Sequence, residues 1–231
     1  LSGLLRTPTG LMNLLQMTVL SYYFGNNGRT PYVHYMLLLG IPAFLGQLIA
    51  AGAAPKLADK HGAATTFAQA NVFAGLALLA AFALFLCRPQ QLTQALPFTL
   101  LILLLFCNMF CCGLVNTVQS ILIADAADLT EKESGIRRDG IFVSGQSLLI
   151  KLSTGVSALL QGLVFAISGF SGTAVRQINR ALYAGADFAT DPSFATPRFA
   201  MFFLFLCLPG IAYLLSALPY RKGRNPHKAP V

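Results

Sequence analysis

Charge is what this 231-residue chain has least of: only 10% of its positions are Asp, Glu, Lys or Arg, against about one quarter in an ordinary soluble domain. With hydrophobic residues at 55%, a water-soluble globule is excluded and the chain belongs in a membrane. Alternating polarity is missing too. Runs such as LPFTLLILLLF at 96–106 cannot be the strands of a membrane barrel, which are about ten residues long with every second side chain polar. Histidine is scarce, and His34, His61 and His227 are scattered. None of the eight carboxylates lies within an apolar run, so no acid pair or nucleophile is expected at membrane depth and an enzyme is not indicated. Nothing here resembles a cleavable signal peptide, because the first apolar run lacks a small-residue cleavage site and continues to Tyr22, Tyr23 and Phe24. Cys87, Cys107, Cys111, Cys112 and Cys207 all fall in or beside apolar runs, where no secreted disulfide framework forms. Cys107 and Cys111 make an i, i+4 pair with metal-ligand spacing, but no His or carboxylate accompanies them, and small core residues are the favoured reading.

What is present is a set of six apolar windows, each about as long as the ~20 helical residues that cross a hydrocarbon core of roughly 30 Å. They cover 9–25, 32–54, 67–87, 97–123, 141–169 and 199–218, and predict an all-α membrane protein in which six transmembrane helices form one bundle. The net charge of +8 suggests topology rather than nucleic acid. With an even number of spans, Arg6, Lys56, Lys60, Lys132, Arg137, Arg138, Arg221, Lys222, Arg224 and Lys228 collect on one side. Arg29, Arg88, Arg176, Arg180 and Arg198 lie on the other. The excess places both ends of the segment in the cytoplasm. The chain opens on leucine a few residues before a span, which predicts that it continues a longer polypeptide, whereas YRKGRNPHKAPV reads as a basic cytoplasmic tail at 221–231.

Turn residues in NNGRTP and PKLADKHGAATT predict tight antiparallel connections between spans one and two and spans two and three. Gly40 with Pro42, and Pro209 with Gly210, are positions where a membrane helix bends, as passive kinks or as hinges. Spans four and five are long, so they tilt or continue past the bilayer into the charged segment between them.

That segment is dense with charge: Asp125, Asp128, Glu131, Glu133 and Asp139 precede an apolar run that carries one cation, Lys151. Eleven helical residues from Gly140 rise roughly 16 Å, beyond the ~6 Å reach of a snorkelling lysine stem, so a pairing role is expected. Ser144, Ser147, Lys151, Thr154 and Ala158 share one helical face, and Asn108, Cys112, Asn116 and Gln119 share one on span four. Two polar stripes at membrane depth predict a shared wet pathway, with interhelical glue as the plainer reading of Asn116 and Gln119. All carboxylates lie in loops or at span ends, so a partner for Lys151 is expected from outside this chain.

At these residues the chain resembles the glycoside-pentoside-hexuronide:cation symporter family (melibiose permease-like) of the major facilitator superfamily, over its C-terminal six helices. The family's A-D-x-x-D-Y-G-E pattern and following arginine are matched by Ala124, Asp125, Asp128, Glu131 and Arg137, and its next helix by Ser144, Gln146, Ser147 and Lys151. Gln119 matches a glutamine of the tenth helix. Asp59, Lys60 and Gly62 resemble the superfamily's loop motif, and SYYFGNN the end of the seventh helix. Leu129 and Thr130 stand where the family has Tyr-Gly, and Asn116 where melibiose permease has a tryptophan at its sugar site.

The resemblance implies half of a twelve-helix fold that carries a sugar or glycoside with Na+ or H+ across the cell (inner) membrane by alternating access. No cofactor is expected beyond that coupling cation, whose site would lie mostly in an N-terminal six-helix bundle. It also implies that Lys151, Gln119, Asn116, Ser147 and Gln146 belong to the substrate or cation site, and that Asp125, Asp128, Glu131 and Arg137 form a cytoplasmic gate network. Partners would be the substrate, the cation, the bilayer and the N-terminal bundle, with no nucleic acid. A lipid or lysolipid carrier of related fold, or a non-transporting half-length accessory protein, are the alternative readings.

Overall fold

A computed structural model describes residues 2–28, 31–136, 139–167 and 172–221. Arg137 and the tail from Lys222 lie outside the described residues. All regular structure among them is helical: α1 (Ser2–Leu5), α2 (Gly10–Val19), α3 (Val33–His61), α4 (Ala63–Cys87), α5 (Ala95–Ser134), α6 (Asp139–Ile167), α7 (Gly172–Tyr183), α8 (Ala195–Phe202) and α9 (Leu208–Arg221). Five helical stretches are long and apolar enough to cross a membrane. The expected span at 9–25 is not one of them. Its helical residues begin earlier, at α1, and are broken by a 3-10 turn at Thr7–Thr9 before α2 and a π-helical turn at Leu20–Phe24.

Other boundaries differ for local reasons. PKLADKHGAATT is almost all helix, because α3 runs to His61 and α4 starts at Ala63, with Gly62 alone between them at φ +85°. That left-handed value is one that glycine adopts without penalty. α5 spans 40 residues, about 60 Å of helix, so Asp125, Asp128 and Glu131 stand on a continuation of span four rather than in a loop. The connection at 170–198 contains α7, whose Ile178 and Leu182 are buried while Arg176 and Arg180 are exposed.

Two close crossings organise the core. Gly113 of α5 lies so near α3 that a Cβ there would meet the Ala50 Cβ at 2.8 Å and the Gln47 carbonyl oxygen at 2.9 Å. On the other side of α4, a Cβ at Gly75 would meet the Gly210 carbonyl oxygen of α9 at 2.7 Å. Small residues let helices in lipid approach until van der Waals packing holds them, so Gly210 serves contact here. The regular α-helical ladder is interrupted just before it, in the π-helical turn Phe203–Cys207, where Pro209 has no N–H to offer the Phe205 carbonyl. Buried amides tie α4 to its neighbours: Asn108 of α5 donates to the Ala74 carbonyl at 3.1 Å, and Ser216 of α9 donates to Asn71 Oδ1 at 3.0 Å. Cys111 is buried in this core.

One end of the bundle is tied together by loops. Arg198, counted among the loop charges, is 4% exposed and donates to the carbonyls of Phe188 (2.9 Å) and Ala189 (2.6 Å). Asn26 Oδ1 accepts the Phe188 N–H at 2.9 Å, and Asn27 donates to Asn179 of α7 at 2.9 Å.

Candidate functional site

The site begins with the sequence Arg6-Thr7-Pro8-Thr9. Proline in the first turn of the 3-10 segment has no amide to donate backward, so the helix cannot pass through continuously. The Thr7 hydroxyl donates to the Leu4 carbonyl, and the Thr7 carbonyl accepts two hydroxyls from α6, Ser153 at 3.0 Å and Ser157 at 2.8 Å. Ser153 and Ser157 sit near the middle of the 29-residue α6, so the break lies deep in the bundle. Arg6 therefore is not a cytoplasmic loop charge. Its Nη2 donates to Asn116 Oδ1 at 3.3 Å, in mid-α5.

Around this break is a cavity of about 640 Å³. Arg6, Asn13, Asn116, Gln119, Gln146 and Tyr213 are among its polar members, and Phe67, Met109 and Leu149 among its apolar ones. Cys112 gathers two donors: Tyr213 Oη at 3.3 Å and Asn116 Nδ2 at 3.8 Å. The cavity extends toward Leu122, Ala126 and Tyr220, the end of the bundle that carries the α3–α4 turn and the acidic part of α5. Hydroxyl, amide and guanidinium groups set among apolar side chains suit a small polyhydroxylated or ionic ligand.

Asn116 and Gln119 from the α5 stripe and Gln146, singled out by the family resemblance, line the same cavity. Ser147 and Lys151 do not join them. Phe142, Gln146, Leu149, Ile150, Ser153 and Thr154 of α6 border the cavity, and five residues of helix put Lys151 about 140° around from Gln146. Ser147 and Lys151 are exposed on that other face, and Lys151 forms no ion pair with any described residue. Asp125 and Asp128 are exposed on α5 and Glu131 is half-buried beside them, at i, i+3 steps that share one face. Asp59 and Lys60 are exposed on the last turn of α3, directly before Gly62.

Sequence reasoning missed Arg6, Ser153, Ser157 and Tyr213. The available signal was Thr-Pro-Thr at 7–9, a proline break placed where an apolar span was being started.

Comparison with known proteins gives a consistent answer. An "uncharacterized 29.9 kDa protein in crtE 3'region" of Pseudescherichia vulneris is 26% identical over 167 residues, which cover 72% of this chain and 56% of that relative. The chain therefore spans little more than half the length of the curated relative it matches. No solved structure matches it. The family model "MFS/sugar transport protein" matches residues 6–221, nearly the whole sequence, and the chain belongs to that family of membrane transport proteins.

Proposed function

We propose that this chain is the C-terminal six-helix bundle of a melibiose permease-like symporter, which moves a sugar or glycoside with Na+ or H+ by rocking against an N-terminal bundle. The observation that carries the reading is the polar cavity built at a helix break in mid-bundle. Transporter sites of this kind are typically formed where discontinuous helices expose backbone groups near the bilayer midplane. Asn116, Gln119 and Gln146 line the site, and Ser147 stands with Lys151 on the exposed face of α6. Lys151 and its serine face cannot rest against lipid at low cost, and in this reading the N-terminal bundle covers them and supplies carboxylates to balance the charge. Asp125, Asp128, Glu131 and Arg137 close the cytoplasmic gate through charge pairs, and Asp59, Lys60 and Gly62 hold the α3–α4 turn beside it. Both ends of the segment face the cytoplasm of the cell (inner) membrane.

The test is uptake of radiolabelled sugars by cells that express the complete polypeptide, with and without a Na+ or proton gradient. Asn116→Ala and Gln119→Ala are expected to lower uptake about tenfold, the effect of losing one or two ligand hydrogen bonds. Uptake unchanged in both, or in Lys151→Ala, would sink the corresponding assignments. A second reading, a lipid or lysolipid carrier, is favoured by one observation. An apolar cavity of about 270 Å³, lined by Leu39, Leu101, Leu105 and Phe205, shares Met12, Asn13, Gln47 and Met109 with the polar one. Saturable uptake of an acyl substrate with no competition by sugars would decide for it.

A further inference from the structure

Arg6 is not used by the function just proposed, and its surroundings do not balance its charge. Its Nη1 is buried with no hydrogen-bond partner. Its Nη2 has a single bond, at 3.3 Å to the amide oxygen of Asn116, beyond the usual range for a charge-assisted contact. No carboxylate lines the cavity among the described residues, whose other polar groups there are neutral. A guanidinium offers five donors in a fixed fork matched to carboxylate or phosphate. Here one donor nitrogen is stranded and another is weakly held, level with the middle of α6. Leaving such an ion uncompensated inside a bundle is strongly unfavourable.

We propose that Arg6 is an anion-binding residue of the cavity, which receives a carboxylate or phosphate group carried by the ligand. A small rotation that gives up the long bond to Asn116 turns the fork toward the 640 Å³ space and frees the Asn116 amide for a ligand hydroxyl. The inference rests on the cavity being a ligand site and goes beyond it by fixing the charge of what binds.

The experiment is equilibrium binding to the full chain in lipid nanodiscs, with glucose, glucuronate, glucose 6-phosphate and inorganic phosphate as probes. At least one anionic sugar is expected to bind about 10- to 100-fold more tightly than glucose, the range of a charge-assisted pair. Arg6→Gln should abolish that preference, and Arg6→Lys should retain part of it, because the charge stays while the fork is lost. Equal binding of glucose and both anionic sugars by the wild-type chain overturns the proposal whatever the variants do, and so does failure of every anionic probe to bind. Weakening of glucose and anionic sugars alike in Arg6→Gln also overturns it, since the guanidinium then only supports the wall. Tight, Arg6-dependent binding of inorganic phosphate with none of the sugars bound upholds Arg6 and instead removes the sugar reading. Preference for glucose with Arg6→Gln indifferent leaves the sugar reading and removes this one.

Discussion

The contact between α2 and α6 makes a sharp prediction, because one missing methyl group and one hydroxyl compete for the same space. A Cβ on Gly10 would meet Ser157 Oγ at 2.7 Å and Ser157 Cβ at 3.3 Å, while Oγ is committed to the Thr7 carbonyl at 2.8 Å. Gly10→Ala therefore forces the hydroxyl off its acceptor. Its cost combines a hydrogen bond at membrane depth, about 0.6 kcal/mol and at most about 1.7, with roughly 1–3 kcal/mol of overpacking. Against these stands about 0.5–1 kcal/mol gained by replacing a helical glycine, for a net loss of about 1–2 kcal/mol. Ser157→Ala alone costs about 0.6 kcal/mol, since Ser153 still donates to the same carbonyl. In the double variant Oγ is gone, and only the milder 3.3 Å approach remains. Its loss should be near zero, less than the sum of the singles by about 1.5–2.5 kcal/mol.

Unfolding of the reconstituted chain in mixed micelles, followed by circular dichroism, measures all four corners of this cycle. Gly155→Ala on α6, where a Cβ meets nothing within 4 Å, is the control and should be neutral or slightly stabilising. Additive losses in the double variant would refute the reasoning, because a shared steric conflict cannot add.

Three other outcomes follow from the same packing. Gly113→Ala should lose about 1–3 kcal/mol in the same unfolding assay because its methyl strikes the backbone of α3, while Gly52→Ala, with open space around it, should not. Arg198→Met should leave the Phe188 and Ala189 carbonyls without their donor, cost about 1–3 kcal/mol, and expose the 184–194 loop to limited proteolysis before the helices melt. Asp191 accepts from the Ser193 hydroxyl at 2.7 Å and its amide at 2.9 Å, and these bonds hold its carboxyl below the usual aspartate value. A lowered folded-state pKa means stability present above the unfolded value and lost as pH falls through the folded one. Proteolysis of that loop should therefore increase as pH drops below about 4, and this acid sensitivity should be absent in Asp191→Asn.

Helical period and hydropathy were enough to read membrane helices and the inward stripe of α5, because both follow from side-chain spacing along one element. What they cannot give is which face of a helix meets which neighbour. On α6, Gln146 and Ser147 differ by one residue and about 100° of rotation, yet only Gln146 reaches the cavity. Lys151 looked like the cation of the site because it stands alone in an apolar run. Arg6 looked like a loop charge because it precedes one. For Arg6 the placement differs, and the cause is Pro8: the break lets helical structure begin at Ser2, so Arg6 is carried down beside Asn116. The extension of α5 to Ser134 was hidden for a similar reason, since charge marks the end of the apolar environment and not the end of the helix.

The distribution of contacts also explains why the cavity lies where it does. α3 with α5 and α4 with α9 are locked by backbone-close crossings at Gly46, Gly113, Gly75 and Gly210, and buried amides join α4 to α5 and to α9. α6 has no such crossing with α5, and its described side chains are mostly exposed. It is held to the rest chiefly through the 3-10 break, by two hydroxyls on one carbonyl and by the close approach of Gly10 to Ser157. Free energies of local opening follow such differences, and elements with few buried contacts separate first. The cavity occupies the seam between the locked four helices and this lightly held fifth one. Small displacements of α6 therefore change its volume while the opposite wall, Asn116 and Gln119 on α5, stays fixed.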